Sequence, residues 1–536
     1  MGRLREWPRL RSVAAVFTTM SALVATGLIA GPSVAEPFDT APCTLERTDA
    51  HHSEGLDTWN AAYPRPTRAL DAVMVFLSFP DSQPLTTPEE LTADHFPLTT
   101  RFFERASYGR FTLRPHTLRH WLRMPRPSTA YAIQRDWDMA RRAAYLRDAL
   151  ALADREVDFS RHDIVYFVAD PDAPGVDSDA TKVVNLEEPL RADGTDIRRV
   201  VTVFENHPPD RLVLAHETGH VFDLPDLYHR PVDGKGDWDT HVGDWDLMGS
   251  QFGMAPDLFG WHKWKLGWLD PRQVMCVRGS GSGPTRLTLE PLAAGPGESA
   301  RVGAAGAAGV AGGSGGLGGV DGSKGSLGSE GSEGSEGAAT VGGAGAAVSA
   351  GAAGTAGTAE GAVGGVGAFG GGGRLDGGAL AGLDRAGAVG GSGAVGGSGA
   401  VGGVSGWGAV GGSGAVGGVP GFGLGNGIKL AVVRTGPESA LAFEVRGPVG
   451  NDVAACRQGV LVYRVRSRTE SGGGPVQVID AHPRTAACWE QSVYPPLADA
   501  PVGLGESFTV PGEGVRVEVE GRTASGAWTV KIATGG

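Results

Sequence analysis

The spacing of apolar positions changes character along the chain. Residues 69–79 form a nearly continuous run of apolar and β-compatible side chains stopped by Pro80-Asp81, which predicts a strand. Residues 99–107 have helical spacing, Tyr108-Gly109-Arg110 reads as a turn, and 111–114 as the strand that follows. Ala, Leu, Arg and Asp at helical intervals predict an amphipathic helix over 140–155. Residues 163–168 and 199–204 read as buried strands, and a helix is expected to begin near Asp210, with Arg211 to Ala215 giving it an apolar face. Alternation of helix and strand predicts an α/β layered unit.

Beyond residue 279 the period becomes that of strands. Residues 285–289, 429–433, 440–445, 459–465, 476–479, 514–519 and 528–532 mostly alternate and are separated by turn residues, which predicts one C-terminal β-sandwich. It is interrupted by 297–427, a Gly/Ala/Ser/Val stretch that contains GSEGSEGSEG and repeats AVGGSG. Such a stretch buries too little apolar surface to offset its backbone entropy, so a flexible, disordered insertion is expected. A calcium-binding β-roll would need Asp at a fixed period, and Asp is nearly absent there.

Composition adds limits. The chain has 536 residues, a net charge of -13 and 41% hydrophobic residues, ordinary for a globular protein apart from its 87 glycines. No basic face suggests nucleic-acid binding. Arg3, Arg5, Arg9 and Arg11 precede an apolar run from Val13 to Ala30 and the small-residue site Ser33-Val34-Ala35, the layout of a secretory signal peptide cleaved after Ala35. An uncleaved membrane anchor is the alternative, the run being near the lower length limit for a span. Residues 36–68 are polar and Pro-containing, an N-terminal extension or short propeptide. Four cysteines in an exported chain fit two disulfides; proximity favours Cys456 with Cys488, leaving Cys43 with Cys276. A Cys43 thiolate that caps a metal until cleavage is the other reading of that residue.

The chemistry is concentrated in His216-Glu217-Thr218-Gly219-His220-Val221-Phe222-Asp223-Leu224-Pro225-Asp226. Positions i and i+4 share a helix face, so His216 and His220 can aim both imidazoles at one Zn²⁺, with Glu217 beside a metal-bound water. A catalytic zinc takes three protein ligands and an open position, and Asp226, six residues after His220, is the expected third. Glu217 is the expected general base. Tyr228 is a candidate contact to substrate or to a developing oxyanion, packing being the other reading. Farther on, Gly243-Asp244-Trp245-Asp246-Leu247-Met248-Gly249 puts a methionine in a tight turn.

Together, His216 to His220, Leu224-Pro225-Asp226-Leu227-Tyr228 and Trp245-Asp246-Leu247-Met248 resemble the immune inhibitor A family of secreted bacterial metallopeptidases, in the metzincin clan. Val75 to Asp81 and Ser107-Tyr108-Gly109-Arg110 fit as well, so the resemblance spans about residues 69–275. It implies a zinc metallopeptidase domain at 69–278, a metzincin-like α/β fold, and a β-sandwich split between 279–296 and 428–536. It further implies Met248 as the Met-turn, an extracellular endopeptidase acting on proteins or peptides as a monomer, and often bound calcium. Asp223 departs from the pattern, which has glycine three residues after the second His; Asp tolerates the left-handed backbone the turn needs, but its carboxylate could reach the zinc. For calcium, Asp233, Asp237, Asp239, Asp244 and Asp246 cluster in one loop, with a solvated acidic loop as the competing reading. The competing functions are a zinc aminopeptidase and a non-catalytic adhesion module on a peptidase scaffold.

Overall fold

The computed structural model describes residues 40–231, 237–278, 283–295 and 427–535. The expected signal peptide and residues 297–426 of the Gly-rich insertion lie outside the described residues. Three sheets carry the structure. The first has the order β2-β1-β3-β5-β4, where β1 is Ala69–Ser78, β2 Thr112–Arg123, β3 Ile164–Ala169, β4 Lys182–Ala192 and β5 Thr195–Val203. Strand β1 runs parallel to β2 and β3, β3 parallel to β5, and only β4 is antiparallel.

The apolar runs of β1 and β3 are continuous because both of their faces are covered. Met74, Phe76, Tyr166 and Val168 point into one core; Val73, Val75, Leu77, Val165 and Phe167 point into another. The helices in order are α1 Pro88–His95, α2 Leu98–Ala106, α3 Ser128–Tyr131, α4 Met139–Ala153, α5 Val213–Val221 and α6 Gly260–Lys265. Tyr145, Leu146 and Ala149 of α4 fill the second core, whereas Phe102 and Phe103 of α2 and Leu214, Ala215 and Val221 of α5 fill the first. The sheet is therefore the middle layer of a mixed α/β unit.

The structure departs from the sequence reading where polar residues form regular elements. Strand β4 was not expected: most of its side chains are at least partly exposed, and it closes on β5 through Asp193-Gly194, both at positive φ. Strand β2 extends to Arg123 rather than ending at 114, again with most side chains at least partly exposed. Edge strands carry few of the apolar alternations that signal a strand. Helix α1 was also missed, although Thr87 caps it through a reciprocal bond set with Glu90. The helix expected from Asp210 begins only at Val213, because Leu212 adopts a left-handed conformation at φ 62°.

The C-terminal region is rich in strands. One sheet has the order β11-β10-β9-β8-β6 and the other β12-β13-β14-β7, with β6 Val274–Cys276, β7 Thr285–Leu289, β8 Leu430–Arg434, β9 Ser439–Arg446, β10 Gly459–Arg466, β11 Val476–Val478, β12 Ser507–Val510, β13 Val515–Arg522 and β14 Trp528–Thr534. Val433, Leu441, Phe443 and Val462 of the first share a core with Leu287, Val517, Val530 and Ile532 of the second. The other face of the first sheet, with Val432, Ala442, Leu461 and Tyr463, belongs to the core that also holds α5. The strands flanking the insertion therefore enter different sheets. Its ends still meet, since Glu290 N donates to Ile428 O at 2.8 Å.

Cys43 is bonded to Cys276 and Cys456 to Cys488. No helix among the described residues is long and apolar enough to cross a membrane.

Candidate metal centre

Helix α5 places His216 and His220 one turn apart, with ring centroids 4.9 Å from each other and ring planes at 87°. Each Nδ1 is spent on a backbone carbonyl: His216 donates to Leu247 O at 2.9 Å and His220 to Leu224 O at 2.8 Å. That fixes the tautomer and leaves both Nε2 lone pairs aimed at a common region. Asp226 Oδ1 lies 3.4 Å from His216 Nε2 and 3.0 Å from His220 Nε2. The three donor atoms are all within 4.8 Å of one another, and among the described residues no other group of three or more His, Cys, Asp or Glu gathers in this way.

Electrostatics support cation binding by this triad. Burial alone would lower His220, but the Asp226 carboxylate outweighs it and lifts the imidazole to about 9. Asp226 is also buried, yet the same imidazoles hold it well below the usual carboxylate range. Two imidazole nitrogens around one buried carboxylate oxygen thus call for a shared positive charge, which a proton or a divalent cation can supply. The donor set, two imidazole nitrogens and one carboxylate with their outer atoms already hydrogen-bonded, could hold a divalent cation.

Glu217 follows His216 and is buried, which pushes its pKa up; the nearby imidazoles and the Val183 backbone N–H on edge strand β4 oppose the rise. Met248 lies under the helix. A Cβ on Gly219 would come within 2.4 Å of its Sδ, so the residue between Glu217 and His220 that faces the methionine has no room for a side chain. Met248 O also accepts from Leu227 N at 2.8 Å, tying the methionine turn to the Asp226 loop.

Tyr228 stacks on His216 with centroids 6.4 Å apart, and its hydroxyl accepts from Arg230 at 2.5 Å. The same Arg230 nitrogen donates to Asp226 Oδ2 at 2.7 Å, and Asp226 N donates to Ser471 Oγ at 3.1 Å. Arg230 and Ser471 belong to no motif in the sequence. The four-residue spacing of Arg230 from Asp226 was the one available signal; Ser471 is distant in the chain and gave none.

Asp223 does not join the triad. Its backbone takes φ 64°, and its carboxylate is held by Arg47 and His52 of the N-terminal segment. Of the acidic residues considered for calcium, Asp244 and Asp246 have their oxygens engaged by neighbouring donors. Asp244 accepts from Met254 N, Val493 N and Ser492 Oγ; Asp246 accepts from Met248 N, Phe259 N and His262. Their oxygens brace turns. Asp237 and Asp239 enter no such cluster, and Asp233 lies outside the described residues.

No family model matches the chain, and no curated protein matches it.

Proposed function

We propose that the protein is a secreted zinc endopeptidase of the immune inhibitor A type, with His216, His220 and Asp226 holding the metal and Glu217 acting as general base. The observation that carries this reading is the convergence of two imidazoles, each oriented by a backbone carbonyl, on one carboxylate oxygen beside a buried glutamate. Bound zinc would polarise the scissile carbonyl and lower the pKa of a water molecule. Glu217, its pKa raised by burial, takes the proton from the attacking water and returns it to the leaving amine. Arg230 keeps Asp226 oriented through Oδ2, leaving Oδ1 for the metal. Met248 beneath Gly219 suits the floor of a metzincin site. Tyr228 has its hydroxyl within reach of Arg230, and the pair can contact a substrate carbonyl.

Strand β4 favours an endopeptidase over an aminopeptidase. It is the edge strand of its sheet, and its Val183 N–H reaches Glu217, so an extended peptide can add to it on both sides of the scissile bond. Two disulfides suit an oxidising, extracellular setting. The test is elemental analysis of the purified protein together with casein hydrolysis. Bound zinc near one per chain, with hydrolysis abolished by a chelator and restored by Zn²⁺, is expected. A metal-free, inert protein would sink the enzyme reading, and cleavage only of unblocked peptides would point to an aminopeptidase.

A further inference from the structure

Asp223 occupies a turn whose left-handed backbone favours glycine, and its side chain has a use there. Arg47 donates to Oδ2 at 2.7 Å, His52 Nδ1 to Oδ1 at 2.9 Å, and the buried Lys265 ammonium to the Asp223 carbonyl at 2.7 Å. His52 is itself left-handed, at φ 58°, and buried. Strained residues of this kind persist where the surroundings over-determine them, and here the two hold each other. The consequence reaches the metal helix. His52 stacks on His220 with centroids 5.7 Å apart, and the residue after Asp223 supplies the carbonyl that accepts from His220 Nδ1.

The segment carrying Arg47 and His52 is fastened at several other points. Cys43 is bonded to Cys276, and the Ser53 and Thr48 hydroxyls donate to Ser467 O. Glu54 is fully buried, 2.8 Å from His262 Nε2 and 3.8 Å from Lys265 Nζ. Removing the segment would strand Asp223, Lys265 and His262 as buried groups without these partners, a heavy loss for any fold.

We propose that residues 40–66 are a permanent part of the catalytic unit rather than a removable prosegment, and that Arg47 and His52 are positioning residues holding Asp223 and, through it, His220. This rests on the zinc reading above. The experiment uses the full secreted chain, with zinc affinity from chelator competition and the visible spectrum of the Co²⁺-substituted protein. Asp223→Gly and His52→Gly both suit the backbone and remove the latch; each is expected to weaken zinc binding by about 10–100-fold and alter the cobalt spectrum. His52→Asn, which tolerates the left-handed backbone and offers an N–H donor, is expected to restore both. Mass spectrometry under reducing conditions is expected to find Arg47 and His52 in the active chain. Wild-type zinc affinity in both glycine variants, or an active chain beginning after Pro66, would overturn the proposal. Should Asp223→Gly fail to fold, the His52 pair decides. A wild-type protein that binds no zinc sinks the zinc reading, whereas equal affinities of His52→Gly and wild type sink the latch alone.

Discussion

Among the described residues, the buried Asp–His clusters around His216 and His220 and around His262 differ in what the histidines have left to offer. At the α5 site each Nδ1 is taken by a backbone carbonyl and both Nε2 atoms face Asp226. In the second cluster His262 is held from both sides, by Asp246 at 3.1 Å and Glu54 at 2.8 Å. No ring nitrogen remains there for a metal. The Glu54 and Asp246 carboxylates, against the effect of burial, raise His262 to about 9, so it serves as an internal cation. The same residue types thus leave a pair of nitrogens open or form a closed ion cluster according to which neighbours take the second nitrogen.

The sharpest break of the comparison is at the base. Glu217→Gln is expected to lower kcat by about 10²–10⁴-fold while zinc content stays at the wild-type level, measured by casein hydrolysis and elemental analysis. Next, Asp226→Asn and Asp246→Ala should separate the clusters. Asp246→Ala leaves His262 short of a partner and two buried N–H groups unmet, with an expected loss of about 3–5 kcal/mol in urea unfolding. Asp226→Asn is expected to cost less stability but to weaken zinc binding by at least about 100-fold, beyond what an outer-shell group contributes. Equal effects of the two variants on zinc would show that the clusters are not distinct.

A smaller effect is expected from Gly219→Ala, which drives a methyl group into Met248 Sδ; overpacking costs about 1–3 kcal/mol and should displace α5, read from unfolding and zinc affinity together. The gentlest probe is pH. The folded pKa of His262, about 9, is above its ordinary value of 6.5, so the stabilisation is fully present below pH 6.5 and is lost as pH rises through about 9. Urea midpoints of the metal-free protein should fall over that window, where His220 also loses its proton, and Glu54→Gln should lessen the fall.

Legibility followed burial and locality. Continuous apolar runs announced β1 and β3, and helical spacing announced α4, because their side chains are buried on the faces that the pattern encodes. Strand β4, most of whose side chains are at least partly exposed, carries no such pattern; its pairing to β5 and its place beside Glu217 are set by the sheet. Likewise Asp223, Asp226, Asp244 and Asp246 look equivalent as letters. Their roles differ by the donors that fold against them.

The local sequence determined that His216, Glu217 and His220 share one helical turn and that the extension and C-terminal region carry cysteines able to pair, since helix geometry and composition act over short range. Only the tertiary structure decided that Asp226 rather than Asp223 faces the imidazoles, that Asp244 and Asp246 brace turns, and that the N-terminal segment reaches Asp223. Those outcomes depend on Arg47, His52, Arg230 and Ser471, which meet their partners across segments that only a shared core brings together.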